Sequence, residues 1–166
     1  MLSVPKRYLP TSLTPRDRVQ QARGLARSRR SYKIAKYTLR AKVASFKSRP
    51  SKHVARAKQM YSVDSMEPST ELARATGCRI DALRAIVKKG EGAYYSSGSR
   101  PNQTPKSWGL ARLASALTGG KAAAVDYDIL ERGCSGTNSV ALKMAKQARV
   151  VYGRGRGATR KIKVAI

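Results

Sequence analysis

The chain has 166 residues, with 35 Lys and Arg against 9 Asp and Glu, a formal net charge of +26, one Trp and one Phe. That length holds one domain of roughly 100 residues plus arms, and so few large apolar side chains exclude a big hydrophobic core. Charge of this sign and size calls for a polyanion or a broad acidic surface as partner.

The charge is uneven. Residues 1–60 carry 17 Lys and Arg against one acid, Asp17; residues 61–152 carry 13 against 8; residues 153–166 carry 5 against none. This predicts a basic arm over residues 1–61 with two short helices, a helical domain over 66–152, and a basic tail over 153–166. A self-repelling arm of low hydrophobicity buries too little to offset its chain entropy. Arm and tail are therefore expected to order on a partner.

Residues 1–13 read as extended, interrupted by Pro5 and Pro10. Leu2, Val4, Tyr8, Leu9 and Leu13 are spaced as anchors for a partner's groove, with plain disorder as the alternative. Thr14-Pro15-Arg16-Asp17 is a helix start: a cap, a proline at the first position and an acid in the first turn. The helix is expected to reach about Arg30. Val19, Ala22, Leu25 and Ala26 give it a thin apolar stripe, and Arg23, Arg27, Arg29 and Arg30 are the candidates to face a polyanion. Residues 31–50 alternate basic with apolar, adding Ile34, Val43 and Phe46 to the anchors. Basic residues interleaved with Tyr and Phe also occur in single-stranded nucleic-acid binders. Ser51 caps a further helix of about ten residues. His53, the only histidine, reads as a surface or hydrogen-bonded residue rather than a base or ligand.

Residues 62–68 read as a linker. Ser69 or Thr70 then caps a short helix ended by Gly77, and a second helix runs from Ile80 to Lys89 and stops at Gly90. The pair resembles a helix-turn-helix. The second helix offers Arg79, Arg84, Lys88 and Lys89 but no Asn or Gln for base edges, which disfavours sequence-specific DNA binding. From Gly90 to Pro105 the composition is that of a long Gly/Ser/Pro loop. A helix capped by Ser107 follows, with Trp108 at its start and Gly119–Gly120 as its stop. Tyr94, Tyr95 and Trp108 are expected to pack together as the structural centre. Asp126 caps a short helix to about Arg132, and Thr137 or Asn138 caps another to about Tyr152. The tail holds Arg154 and Arg156, further polyanion-facing candidates, and ends in an alternating stretch, Ile162 to Ile166, suited to a partner's sheet edge.

Catalytic chemistry is not legible. No nucleophile–His motif is present, the spacing of a phosphate loop is absent, and no cofactor fingerprint occurs. Cys78 and Cys134 are too few and too far apart for a zinc site. They read as buried free thiols, with one disulfide or two surface thiols as alternatives. The polar set Tyr95, Ser97, Ser99, Arg100 and Asn102 either lines a pocket or serves its own loop's backbone; the second is preferred. No apolar run approaches the ~20 residues of a membrane span, and no signal-type stretch follows Met1.

Tyr37, Ser45-Phe46-Lys47-Ser48, Gly77-Cys78 and, above all, the run GAYYSSGSRPNQTPKSWGLARLASALTGGKAAAVDYDIL are similar to a family of small basic proteins of nucleocytoplasmic large DNA viruses, including phycodnaviruses such as chlorella viruses and mimivirus relatives. The resemblance covers nearly the whole chain and brings no catalytic residues. It implies a virion-associated protein of the network beneath an icosahedral shell. Together these readings give a mainly α fold: a small helical domain with a long Gly/Ser/Pro loop, an extended basic N-terminal arm and a C-terminal tail. The expected function is non-enzymatic: a minor capsid protein on the inner shell face. Its expected partners are the major capsid protein, other minor capsid proteins and packaged DNA, with no small-molecule substrate. A virion DNA-binding or DNA-condensing protein is the alternative, and a ribosomal-type basic protein the third.

Overall fold

The structure is a computed structural model and describes residues 1–135, 138–155 and 159–166. The chain is mainly α-helical. In order, the elements are β1 (Leu2–Pro5), α1 (Pro15–Lys33), α2 (Lys52–Tyr61), α3 (Thr70–Thr76), α4 (Ile80–Ser96), α5 (Pro105–Leu117), α6 (Lys121–Val125), α7 (Tyr127–Gly133), α8 (Val140–Tyr152) and β2 (Lys161–Val164). A 3₁₀ turn, Lys6–Tyr8, follows β1.

Several helix starts follow from local capping chemistry. The side chains of Thr14, Ser51 and Ser69 accept from the amides of Asp17, Val54 and Leu72, satisfying donors with no intrahelical partner. Gly77 takes the left-handed conformation (φ +70) that ends α3. α5 begins with a reciprocal pair: the Ser107 amide donates to Thr104 Oγ1 at 3.0 Å and the Thr104 amide to Ser107 Oγ at 2.9 Å. The cap is therefore Thr104, and Ser107 is its partner three residues on. α8 is capped by Ser139 rather than Asn138; Thr137 lies outside the described residues.

The chain forms two compact units, and neither is the arm, domain or tail expected from charge. The first comprises Met1–Arg49, Glu91–Trp108 and Ala158–Ile166; the second comprises Pro50–Gly90 and Gly109–Gly157. The boundaries fall inside α4 and α5.

In the first unit, β1 pairs antiparallel with β2, with Leu2 opposite Val164 and Val4 opposite Ile162. The core gathers Leu2, Val4, Tyr8, Leu9, Leu13 and Val43 around Ala22, Leu25 and Ala26 of α1, with Phe46 and Trp108 against it. This corrects the extended arm. Its apolar anchors find partners within the chain, and that burial offsets the entropy of ordering residues 1–49. The tail's alternating stretch does add to a strand, and that strand is the chain's own β1.

The second unit buries Tyr61, Leu72, Leu83, Ile86, Leu113, Leu117, Leu130 and Ala145 in one cluster, and α6 and α7 pack on α8. Cys78 and Cys134 are joined by a disulfide, which corrects the free thiols. The backbone brings them together, since the Arg79 amide donates to Gly133 O at 2.8 Å and the Ser135 amide to Gly77 O at 2.9 Å. The helix expected to stop at Gly90 instead runs to Ser96, so the long loop shrinks to residues 97–104. Glycine inside a helix costs about 1 kcal/mol. Here it permits a close helix crossing, because a Cβ on Gly90 would stand 2.6 Å from Gly109 Cα.

Candidate nucleic-acid interface

α1 divides its residues sharply. Gln21, Ala22, Leu25, Ala26 and Ser28 are buried. At 100° per residue, Arg16, Gln20, Arg23, Arg27 and Arg30 fall on the opposite side, and all five are exposed. Along the axis Arg23, Arg27 and Arg30 stand about 6 and 4.5 Å apart, from the 1.5 Å rise per residue. A groove of about 740 Å³ runs between this helix and residues 38–41, lined by Arg16, Val19, Arg23, Arg27, Leu39 and Arg40 among others.

The groove's second wall is a strap, residues 34–49, without helix or strand. Three side chains hold it. Arg40 donates to Tyr94 O at 2.8 Å, to Ser28 Oγ at 3.0 Å and to Ser99 Oγ at 2.7 Å, while its amide donates to the Tyr94 hydroxyl at 3.1 Å. Its guanidinium carbon lies 3.7 Å from the Tyr94 ring centroid. Asn102, in the left-handed region (φ 61), accepts from the Val43 amide at 2.7 Å and donates to the Val43 and Phe46 carbonyls at 3.0 and 2.8 Å. Asp17 accepts from the Ser45 amide at 2.8 Å and its hydroxyl at 2.6 Å. Those bonds hold its carboxyl below the usual range. Desolvation lowers the pKa of Arg40 and of Arg29, and both stay cationic, as guanidinium does in proteins.

Of the eight anchors, Leu2, Val4, Tyr8, Leu9, Leu13 and Val43 are buried and Phe46 is partly buried in the first unit's own core, so they are not available to a partner; Ile34 is 66% exposed. Arg23, Arg27 and Arg30 face solvent. Arg29 does not share that role, since it donates to Ser3 O and Ser97 O, both at 2.8 Å. Arg154 is exposed, and Arg156 lies outside the described residues.

The expected aromatic centre divides in two. Trp108 meets Tyr8 edge to face at 5.8 Å. Tyr94, buried, meets Tyr95 at 5.1 Å. Gly119 takes φ +69 just past α5, as its place as a helix stop requires, and Gly120 leads into α6. Ser99 and Asn102, from the polar set, bond to residues of the strap.

The fold also gives some residues partners that the sequence did not signal. Arg40 and Asn102 are among them, since nothing in their neighbours marks partners 54 to 59 positions away. Asp126 is another. It does not cap α7 with its side chain. Its carboxylate is fully buried and receives Lys89 at 2.7 Å and Arg112 at 2.7 and 2.8 Å. Desolvation pushes its pKa up, and the bonds and charges of Arg112 and Lys89 outweigh that and lower it.

A family described as of unknown function, DUF5824, matches residues 5–131. The chain belongs to the DUF5824 family. Within this DUF5824 chain the match takes in all of α1, the strap, the Tyr94–Tyr95 pair and the Asp126 ion pairs, and it ends before Cys134 and α8. No curated protein and no solved structure matches the chain.

Proposed function

We propose that the protein binds the sugar-phosphate backbone of a nucleic acid without catalysing a reaction on it. The observation that carries this is the arginine stripe of α1. Arg16, Arg23, Arg27 and Arg30 stand exposed opposite the helix's buried face, beside an open groove, and Asp17, the one acid of α1, lies off that stripe and is bonded to Ser45. Guanidinium groups spaced by helical turns suit phosphate oxygens, and a chain of net charge +26 releases many counterions on binding. The similarity to basic proteins of large DNA viruses makes the packaged genome the proposed ligand and the virion the proposed location.

A minor capsid protein on the inner shell face is the second reading. Its arm anchors other than Ile34 lie in the first unit's core, so its support is the same similarity together with exposed apolar side chains at the end of α8: Val150 at 87%, Val151 at 72% and Tyr152 at 45%.

The test is DNA binding as a function of salt, for the full chain and for R23Q/R27Q/R30Q. The expected result is weaker binding by the variant, with a log–log salt slope shallower by about one per lost phosphate contact. An unchanged slope, or no binding by the native chain at low salt, overturns the proposal. Loss of particle incorporation by a V150S/V151S variant that still binds DNA would favour the second reading.

A further inference from the structure

We propose that Tyr37 and Tyr32 form a base-stacking platform, so that the preferred ligand is single-stranded nucleic acid. This rests on the backbone-binding reading above, independently of the packaged genome as ligand, and specifies its substrate class. Tyr37 is 66% exposed and Tyr32 38% exposed, at the end of α1 that follows the arginine stripe. Their rings meet edge to face at 6.0 Å, and Tyr37 meets Tyr95 at 5.2 Å. Tyr95 meets the buried Tyr94 at 5.1 Å, and the Arg40 guanidinium covers Tyr94. An exposed ring at the head of a chain of packed rings is already oriented, so a base stacking on it costs little further side-chain entropy.

The backbone is built to present these rings. The amides of Ile34 and Lys36 both donate to Ser31 O, at 3.1 and 2.9 Å, and the Ala35 amide donates to Tyr32 O at 3.0 Å. Ala35 takes φ +54, a left-handed conformation that is strained for an alanine. The resulting turn brings Tyr37 back beside Tyr32.

Charge and ring divide the work along the helix. The carboxyl-terminal end of a helix carries partial negative charge and disfavours phosphate, and exposed Lys33 and Lys36 offset it there. The stripe from Arg16 to Arg27 can follow a backbone whose bases then reach Tyr32, about 7.5 Å further along the axis at 1.5 Å per residue. A base face is free to stack on a side chain only when the strand is unpaired, which is why the platform selects single strands.

The test uses the full chain with oligo-dT, oligo-U and a DNA duplex, each of about 16 nucleotides, the upper site size for one single-strand-binding module. Native protein is expected to bind either single strand more tightly than the duplex. Tyr37→Ala and Tyr37→Leu should each weaken single-strand binding about tenfold, within the range for losing one base–aromatic stack, with duplex binding and salt slope unchanged. Tyr37→Phe should restore single-strand binding. Leu keeps an apolar contact for Tyr95, so its loss of binding with an unshifted melting temperature separates the ring's face from stability. Equal binding of single strand and duplex, or native-like single-strand binding by Tyr37→Leu, overturns the platform while leaving backbone binding intact. Failure to bind all three ligands overturns the function itself. A preference for dT over U, or the reverse, identifies which strand the platform serves.

Discussion

Arg40 lies in a segment without regular secondary structure, yet its side chain bonds Ser28, Tyr94 and Ser99 and covers the Tyr94 ring. Hydrogen bonds of a charged group contribute about 1.5–3 kcal/mol, and these three tie the strap to α1, to α4 and to the loop that follows α4. We expect Arg40→Ala to destabilise the first unit by about 3 kcal/mol, read by denaturant unfolding. Arg40→Lys should recover little, because an ammonium cannot reproduce a planar fork. Asp126 gives a pH dependence. Its folded-state pKa is depressed below 3.8, so its stabilisation is present above the unfolded value and is lost as pH falls through the folded one. Asp126→Asn leaves Arg112 and Lys89 without their counter-charge and should cost about 3–5 kcal/mol. Thermal melts from pH 6 down to about pH 2 should then fall less steeply for the variant than for the native chain.

At the scale of elements, α5 contributes Trp108 to the first unit and Leu113 and Leu117 to the second. Trp108 is only half-buried, against Tyr8. Trp108→Ala should therefore cost about 2–3 kcal/mol, below the 3–5 typical of a fully buried aromatic. Quenching by an added solute should detect the Trp fluorescence as partly accessible. The loss should appear in amide exchange of β1 and the 3₁₀ turn before it appears in α8, because Tyr8 belongs to the core those segments share. Legibility also differs by element. The starts of α1, α2 and α3 could be read from Thr14, Ser51 and Ser69, since a cap and its amide are three residues apart. The end of α4 could not, because the reason to continue through Gly90 is a helix crossing at Gly109.

At the scale of the molecule, the charge profile suggested an arm that a protease would remove near residue 62. The fold leads to the opposite expectation. Residues 1–49 share a core with β2 and Trp108, so limited proteolysis of the free protein should leave the N-terminus protected. A truncation to residues 50–166 should deprotect residues 91–108 and 161–164 in hydrogen exchange. The second unit carries the Cys78–Cys134 disulfide, which closes a loop of 56 residues. Its reduction, or C78S/C134S, should lower that unit's stability by about 2–4 kcal/mol, seen as a lower midpoint in denaturant and absent for protein already reduced. Rapid clipping of the first 49 residues in the native protein would contradict the division of the chain into these two units.

By itself the sequence determined what depends on near neighbours and on totals: a mainly helical chain, helix starts at Ser/Thr caps, stops at Gly77 and Gly119, and a basic surface. It also placed Arg23, Arg27 and Arg30 on α1 away from the apolar stripe, because a helix's faces follow from its period. Only the tertiary structure decided the fate of the anchors, the disulfide, the burial of Asp126 and the interleaving of three separate segments into one unit. Each of these depends on partners between 14 and about 160 positions apart, as Arg112 is from Asp126 and Val164 from Leu2. An apolar residue in a charged stretch looks the same in sequence whether it anchors to another molecule or to its own chain. What separates the two is whether enough apolar surface elsewhere in the chain can reach it to offset the entropy of ordering.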